Sequence, residues 1–257
     1  MEFKSQLIKV QKQYTLEFEE ILNFANSTER ELTSRFNSKS PNKPNEKDRA
    51  EIKRIGQEIL DIVEDNTTSN IINHTIETDS SFVANLIKEK LIPLKHRSFL
   101  IDMTLSYLIS YQEAMFKDYL FVVLTNNTTC LKSNNKITYS ELLDFNDFGE
   151  LVASIADKEV EKIGRGSIDD IHKYFIEKFN IDLSDYDMWN EIVESTYRRN
   201  LIIHNKGIVN QVYLNRFCDA VIGDKPHIDI DYIVNASKNL IGLSTFVYSS
   251  LISKFKL

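Results

Sequence analysis

The stretch YRRNLIIHNKGIVNQVY, residues 197–213, decides how this chain is read. It runs out of an amphipathic helix that begins near Trp189, and Gly207 marks where that helix stops. A helix of this kind should bury a plain apolar face. Here the last turns carry Arg198, Arg199, Asn200, His204 and Asn205 instead. A helix so loaded with polar groups needs a scaffold to present it, and the rest of the chain has the pattern of one.

At 257 residues the chain is long enough to bury a substantial core. Its 42% apolar and 27% charged residues are ordinary for a globular protein, whereas seven glycines and four prolines are few. Tight turns consume both residues, so a sheet-rich fold is disfavoured and an all-α fold is expected. The formal net charge of −7 argues against a protein that coats long nucleic acid, though a local basic site on an acidic body remains compatible with it. Cys130 and Cys218 make neither a disulfide framework nor a metal knuckle. The first residues lack an apolar signal core, and the most apolar stretch, residues 240–252, falls short of the ~20 residues a membrane span needs. A cytoplasmic protein with no membrane partner is expected.

Apolar periodicity places helices along most of the chain. Phe3, Leu7, Val10, Tyr14, Phe18 and Ile21 share one helix face, and Thr28-x-x-Glu31 reads as a capping box opening a second short helix. Residues 37–48, with two prolines, read as a loop; Ile52, Ile55, Ile59 and Val63 mark a helix; residues 66–79 read as a loop. Ser80 or Ser81 would cap a helix that Pro93 ends. Residues 97–125 are apolar nearly all round, the pattern of a central buried helix. Helices follow at 148–163 and 168–179, the second capped by Ser167-x-x-Asp170, and a long apolar helix over 232–256 closes the chain. The stretch 227–231 reads as extended.

The chemistry sits in Arg199, Asn200 and His204, the pattern Arg-Asn-x-x-x-His. Spacing alone does not single it out, because Arg165 to His172 and Arg198 to His204 give similar spacings. On an ideal helix Asn200 and His204 lie within about 40° of each other, and Tyr197 comes to the same side. Arg199 is about 140° from His204, so either the helix loosens towards Gly207 or a two-fold-related copy supplies the arginine. Histidine can carry a proton to or from a ribose oxygen near neutral pH. Arginine offers a fork of donors to a phosphate, and asparagine can orient either group. This set suits metal-free cleavage of an RNA phosphodiester, with no cofactor. The competing reading is a helix-end histidine that only interacts with the terminal carbonyls.

The run Arg199-Asn-Leu-Ile-Ile-His204-Asn, followed by Lys-Gly-Ile-Val-Asn and Tyr213-Leu, resembles the signature of the HEPN superfamily, Arg-x(4–6)-His with a polar residue after the arginine. The helix around residues 106–120, with an acidic residue at Glu113, is similar to the first helix of such domains, and the resemblance extends over about 97–256. It implies an HEPN-like helical bundle over 97–257, with residues 1–96 as an additional N-terminal helical extension, and a two-fold dimer with a composite active site. It implies a metal-independent endoribonuclease giving 2′,3′-cyclic phosphate and 5′-hydroxyl ends, as a toxin or anti-phage effector restrained by an antitoxin or other defence partner. Carried over residue by residue, Arg199, Asn200 and His204 are catalytic. Arg198, Asn205 and Lys206 would hold flanking phosphates, and Glu113 would position Arg199. The alternative is a non-catalytic dimeric module of the same kind that binds RNA, nucleotide or a protein partner, since function belongs to the site rather than the scaffold.

Overall fold

The computed structural model describes residues 2–38, 50–51, 53–55, 57, 92–133 and 136–257. The fold is all-α, without a strand among the described residues. In chain order the α-helices are α1 (Phe3–Ser38), α2 (Ile92–Asn126), α3 (Tyr139–Leu143), α4 (Phe148–Gly164), α5 (Ile168–Phe179), α6 (Trp189–Asn205), α7 (Gln211–Arg216) and α8 (Ile230–Phe255). None is long and apolar enough to cross a membrane.

The chain forms two compact units, Met1–Asn26 with Ile101–Leu257, and Ser27–Leu100. The larger unit joins the first 26 residues to the chain from Ile101 onward. Leu7, Val10, Tyr14, Phe18 and Ile21 are buried in its core, because α1 supplies one wall of the bundle. Asn126 Nδ2 donates to Gln6 Oε1 at 2.8 Å and the Tyr14 hydroxyl donates to Asp118 Oδ2 at 2.7 Å, so α1 and α2 run antiparallel. Ser237 Oγ donates to the Phe18 carbonyl at 3.1 Å, and Lys4 Nζ reaches the Leu257 carbonyl at 3.2 Å, which sets α8 antiparallel to α1 as well. Between α2 and α8 the buried Tyr119 hydroxyl donates to the Ser244 carbonyl at 3.0 Å. Within the smaller unit, Arg97 Nη2 lies 2.8 Å from Glu29 Oε1.

Two local expectations differ from what is observed. Thr28 opens no new helix: α1 runs unbroken from Phe3 to Ser38, since residues 22–38 contain neither Gly nor Pro to stop it. Pro93 lies in the first turn of α2, where its missing N–H has no helical partner to lose, and the helix it was expected to end lies outside the described residues. α2 is not buried all round, because Met103, Tyr107 and Phe121 stand on a face that no helix of the unit covers. The readings of residues 39–48, 66–79 and 80–91, and of Ile52, Ile59 and Val63, lie outside the described residues.

Elsewhere the local signals hold. Ser167 and Asp170 form both halves of a capping box, with Asp170 N–H donating to Ser167 Oγ and Ser167 N–H to Asp170 Oδ2. α5 ends on Asn180 in the left-handed region. Of the stretch 227–231, Asp229 is extended, and its carboxylate accepts the Tyr232 N–H at 2.8 Å and so starts α8 at Ile230.

Phe18 is fully buried and Leu16 is 59% exposed on the same helix. Phe18→Ala is expected to lower unfolding free energy by about 3–5 kcal/mol, and Leu16→Ala by less than about 0.5 kcal/mol. Urea titrations compare them directly. Equal, small losses would show that α1 is not part of the core.

Candidate functional site

α6 is held first at its N-terminal end. Asp182 Oδ1 accepts the Ser184 hydroxyl at 2.6 Å and the Ser184 N–H at 2.9 Å, and it lies 2.8 Å from His172 Nε2. Those partners, Ser184 first and His172 next, pull the Asp182 carboxyl down to about 2. His172 also packs edge-on against Trp189, the first residue of α6, with ring centroids 5.2 Å apart. The histidine of the alternative Arg165 spacing is thus committed to anchoring a helix start. Trp189, Ile192, Val193 and Leu201 then bury the inner face of α6.

Next comes a cluster around one carboxylate, Glu194. Its Oε1 accepts from the Tyr213 hydroxyl of α7 at 2.5 Å and from Arg198 Nε, one helical turn on. Its Oε2 accepts from the Tyr232 hydroxyl of α8 at 2.6 Å, and that hydroxyl lies 2.8 Å from Ser195 Oγ. Arg198 Nη1 donates to the His227 carbonyl at 2.7 Å, and its guanidinium lies 4.6 Å from the centre of the Tyr232 ring. Burial works against the Arg198 charge, but Glu194 together with Tyr232 and Tyr213 holds the guanidinium above its ordinary value. Burial, then Glu194, pushes Tyr213 up to about 12 and raises Tyr232 as well. Arg198, expected to hold a flanking phosphate, is bonded to Glu194 and the His227 carbonyl. It is spent inside the fold, tying α6 to the segment that leads into α8.

With Arg198 turned inward, Arg199 points to the other side of α6. Its Nη2 lies 3.1 Å from Glu113 Oε2 on α2, and its Nη1 donates to Asn200 Oδ1 at 3.0 Å. His204, one turn past Asn200, is exposed and makes no side-chain hydrogen bond among the described residues. No hydrogen bond joins it to Arg199 or Asn200. Tyr197 does not share this surface, because its hydroxyl donates to Asp169 Oδ2 at 2.9 Å and its ring packs on Phe217.

The helix does not loosen before its end. It stays α-helical to Asn205, and then Lys206 and Gly207 take φ values of 56° and 78°. The Gly207 N–H donates to the Leu201 carbonyl at 2.9 Å, a left-handed termination that glycine adopts without strain. Asn205 is used in the same turn: its Nδ2 donates to the Ile208 carbonyl at 2.5 Å. Lys206 remains exposed at the helix end.

Among the residues singled out by sequence, Glu113, Arg199 and Asn200 are thus brought into contact, His204 is left open one turn away, and Arg198 and Asn205 serve structure. Glu194, Tyr213 and Tyr232 escaped the sequence reading. Only the Glu194–Arg198 spacing of four residues signalled part of that cluster. A search of family models, curated proteins and solved structures finds no match to this chain.

Arg198→Met leaves Glu194 without its cation and is expected to cost about 2–3 kcal/mol, against less than about 0.5 kcal/mol for the exposed Arg165→Met. A tyrosine in the unfolded chain ionises near pH 10. Raising Tyr213 above that value stabilises the fold fully below pH 10. That contribution is lost as pH rises from about 10 through about 12, where the unfolded state binds fewer protons. Tyr213→Phe should flatten the fall of stability over this window by up to about 1.4 kcal/mol per pH unit. An unchanged slope would mean that Tyr213 ionises as readily in the fold as outside it.

Proposed function

We propose that this chain is a metal-independent endoribonuclease of HEPN type, acting as a toxin or anti-phage effector. The observation that carries the proposal is the division of labour on α6. Arg199 is held by Glu113 and Asn200, while His204 is exposed and uncommitted one turn further along. His204 takes the proton of a ribose 2′-hydroxyl, the O2′–P bond forms, and the P–O5′ bond breaks. The leaving O5′ is protonated, and the ends are a 2′,3′-cyclic phosphate and a 5′-hydroxyl. Arg199 stabilises the charge on the non-bridging oxygens as it builds, with Asn200 fixing the fork of its guanidinium.

One chain supplies an incomplete set. Because α6 stays regular to Asn205, Arg199 and His204 of the same chain point about 140° apart. A two-fold dimer resolves this by placing the arginine of one copy against the histidine of the other, which also supplies a second acid–base group. Ile203, Ile208 and Val212 are exposed on and just beyond the motif helix, as a dimer contact there requires. Lys206 is placed to hold a flanking phosphate. An antitoxin or defence-system partner would restrain the activity.

The second reading is a non-catalytic dimer that binds RNA, nucleotide or a protein. The Glu113–Arg199 pair favours it, since it offsets the positive charge at the motif of a chain already at −7.

Purified protein incubated with total RNA in excess EDTA, wild type beside His204→Ala, separates the two. Cutting by the wild type with cyclic-phosphate ends, reduced at least ~100-fold in His204→Ala, is the expected outcome. Both proteins should melt alike, because His204 is exposed. Equal cutting by the two would remove the site from His204.

A further inference from the structure

Residues 136–150 hold a defined conformation that their own packing does not explain. α3 is five residues long and has no buried residue. So short a helix does not persist on its backbone bonds alone. Its end is fixed instead by a reciprocal capping box: Glu141 N–H donates to Thr138 Oγ1 at 3.2 Å, and Thr138 N–H donates to Glu141 Oε2 at 2.9 Å. The turn into α4 is fixed in the same way, with Glu150 N–H on Asp147 Oδ1 at 2.9 Å and Asn146 N–H on Glu150 Oε2 at 2.8 Å. Side-chain bonds thus brace both turns, while all the apolar side chains but the half-buried Phe145 are exposed.

Those side chains face outward. Tyr139, Leu143 and Phe148 are 87%, 83% and 71% exposed, and Ile137 and Leu142 are 42% and 40% exposed. Single exposed apolar residues are ordinary, but five within twelve residues, on a segment braced by its caps, mark a surface built to be covered.

Charge selects what covers it. Residues 136–150 carry Glu141, Asp144, Asp147 and Glu150 against Lys136, a net −3, and none of the four carboxylates has an ion pair among the described residues. Nucleic acid and anionic lipid are repelled by such a face. A second copy laid on it by two-fold symmetry would set carboxylates against carboxylates. We infer that residues 137–148 form a preformed docking face for a basic amphipathic helix of a partner protein, whose apolar side meets Tyr139, Leu143 and Phe148 and whose lysines or arginines meet the four carboxylates. This surface is separate from the α6 motif and does not depend on a ribonuclease activity.

The test uses the full chain and a labelled amphipathic peptide of about 18 residues built from Leu and Lys, long enough to form a helix on the surface. A Leu/Glu peptide of the same pattern is the control, and fluorescence anisotropy is the readout. Saturable binding of the Lys peptide at one per chain is expected, with none of the Glu peptide, and weakening in about 0.5 M salt. Tyr139→Ser/Leu143→Ser/Phe148→Ser should weaken it at least about tenfold while leaving the melting curve unchanged, and Asp144→Lys should weaken it at low salt only. Four results would overturn the inference. They are no binding, equal binding of both peptides, binding untouched by the triple substitution, or a triple variant that instead loses self-association, RNA binding or vesicle binding.

Discussion

The geometry of the motif helix depends on the carboxylate of Glu194. It accepts hydrogen bonds from Arg198 on its own helix, from Tyr213 on α7 and from Tyr232 on α8. Arg198 in turn reaches the backbone at His227. A carboxylate with this many donors around it fixes the rotation of α6 about its axis, since any turn of the helix would strand a half-buried charge. Once Arg198 is committed inward, the next residue must project on another side, and Arg199 meets α2 at Glu113. Asn200 and His204 then fall on an open surface. The two adjacent arginines look alike in sequence and do opposite work.

The same contrast separates the histidines. His172 and His204 both follow an arginine at a workable spacing, and their surroundings distinguish them. His172 is bonded to Asp182 and packed on Trp189, which accounts for it as an anchor of the α6 start. His204 has no such partner among the described residues, so nothing in the packing accounts for a histidine at that position. The Glu113–Arg199 pair bears on charge as well as position. On a chain of net charge −7 it keeps the guanidinium oriented while offsetting part of its field, so an anionic ligand would have to compete with Glu113 for the same donors.

What could be read in the sequence was periodicity and punctuation. The face of α1, the extents of α4 and α5, the Ser167 cap and the Gly207 stop all follow from local chemistry, and the structure has them. What depended on distant neighbours could not be read. The Thr28 cap lost to an uninterrupted run of helix-compatible residues. Residues 3–26 belong to the bundle because their apolar face meets α2 and α8, a fact no spacing rule contains. Within the motif, the triplet Arg199, Asn200 and His204 was legible, and Glu113 entered through resemblance. The inward turn of Arg198 was not, since it rests on Tyr232 and the His227 carbonyl, about thirty residues downstream.

In the function proposed above, the motif surface of α6 would cleave RNA by attack of a ribose 2′-hydroxyl. The most direct measurement takes a mapped cleavage site and replaces the single nucleotide on its 5′ side with the 2′-deoxy form, in an otherwise identical RNA. The account predicts that this bond is left intact in EDTA while the all-ribose RNA is cut there to a 2′,3′-cyclic phosphate. Cleavage of the deoxy-substituted bond at the same rate would contradict it, because the nucleophile would then have to come from outside the RNA.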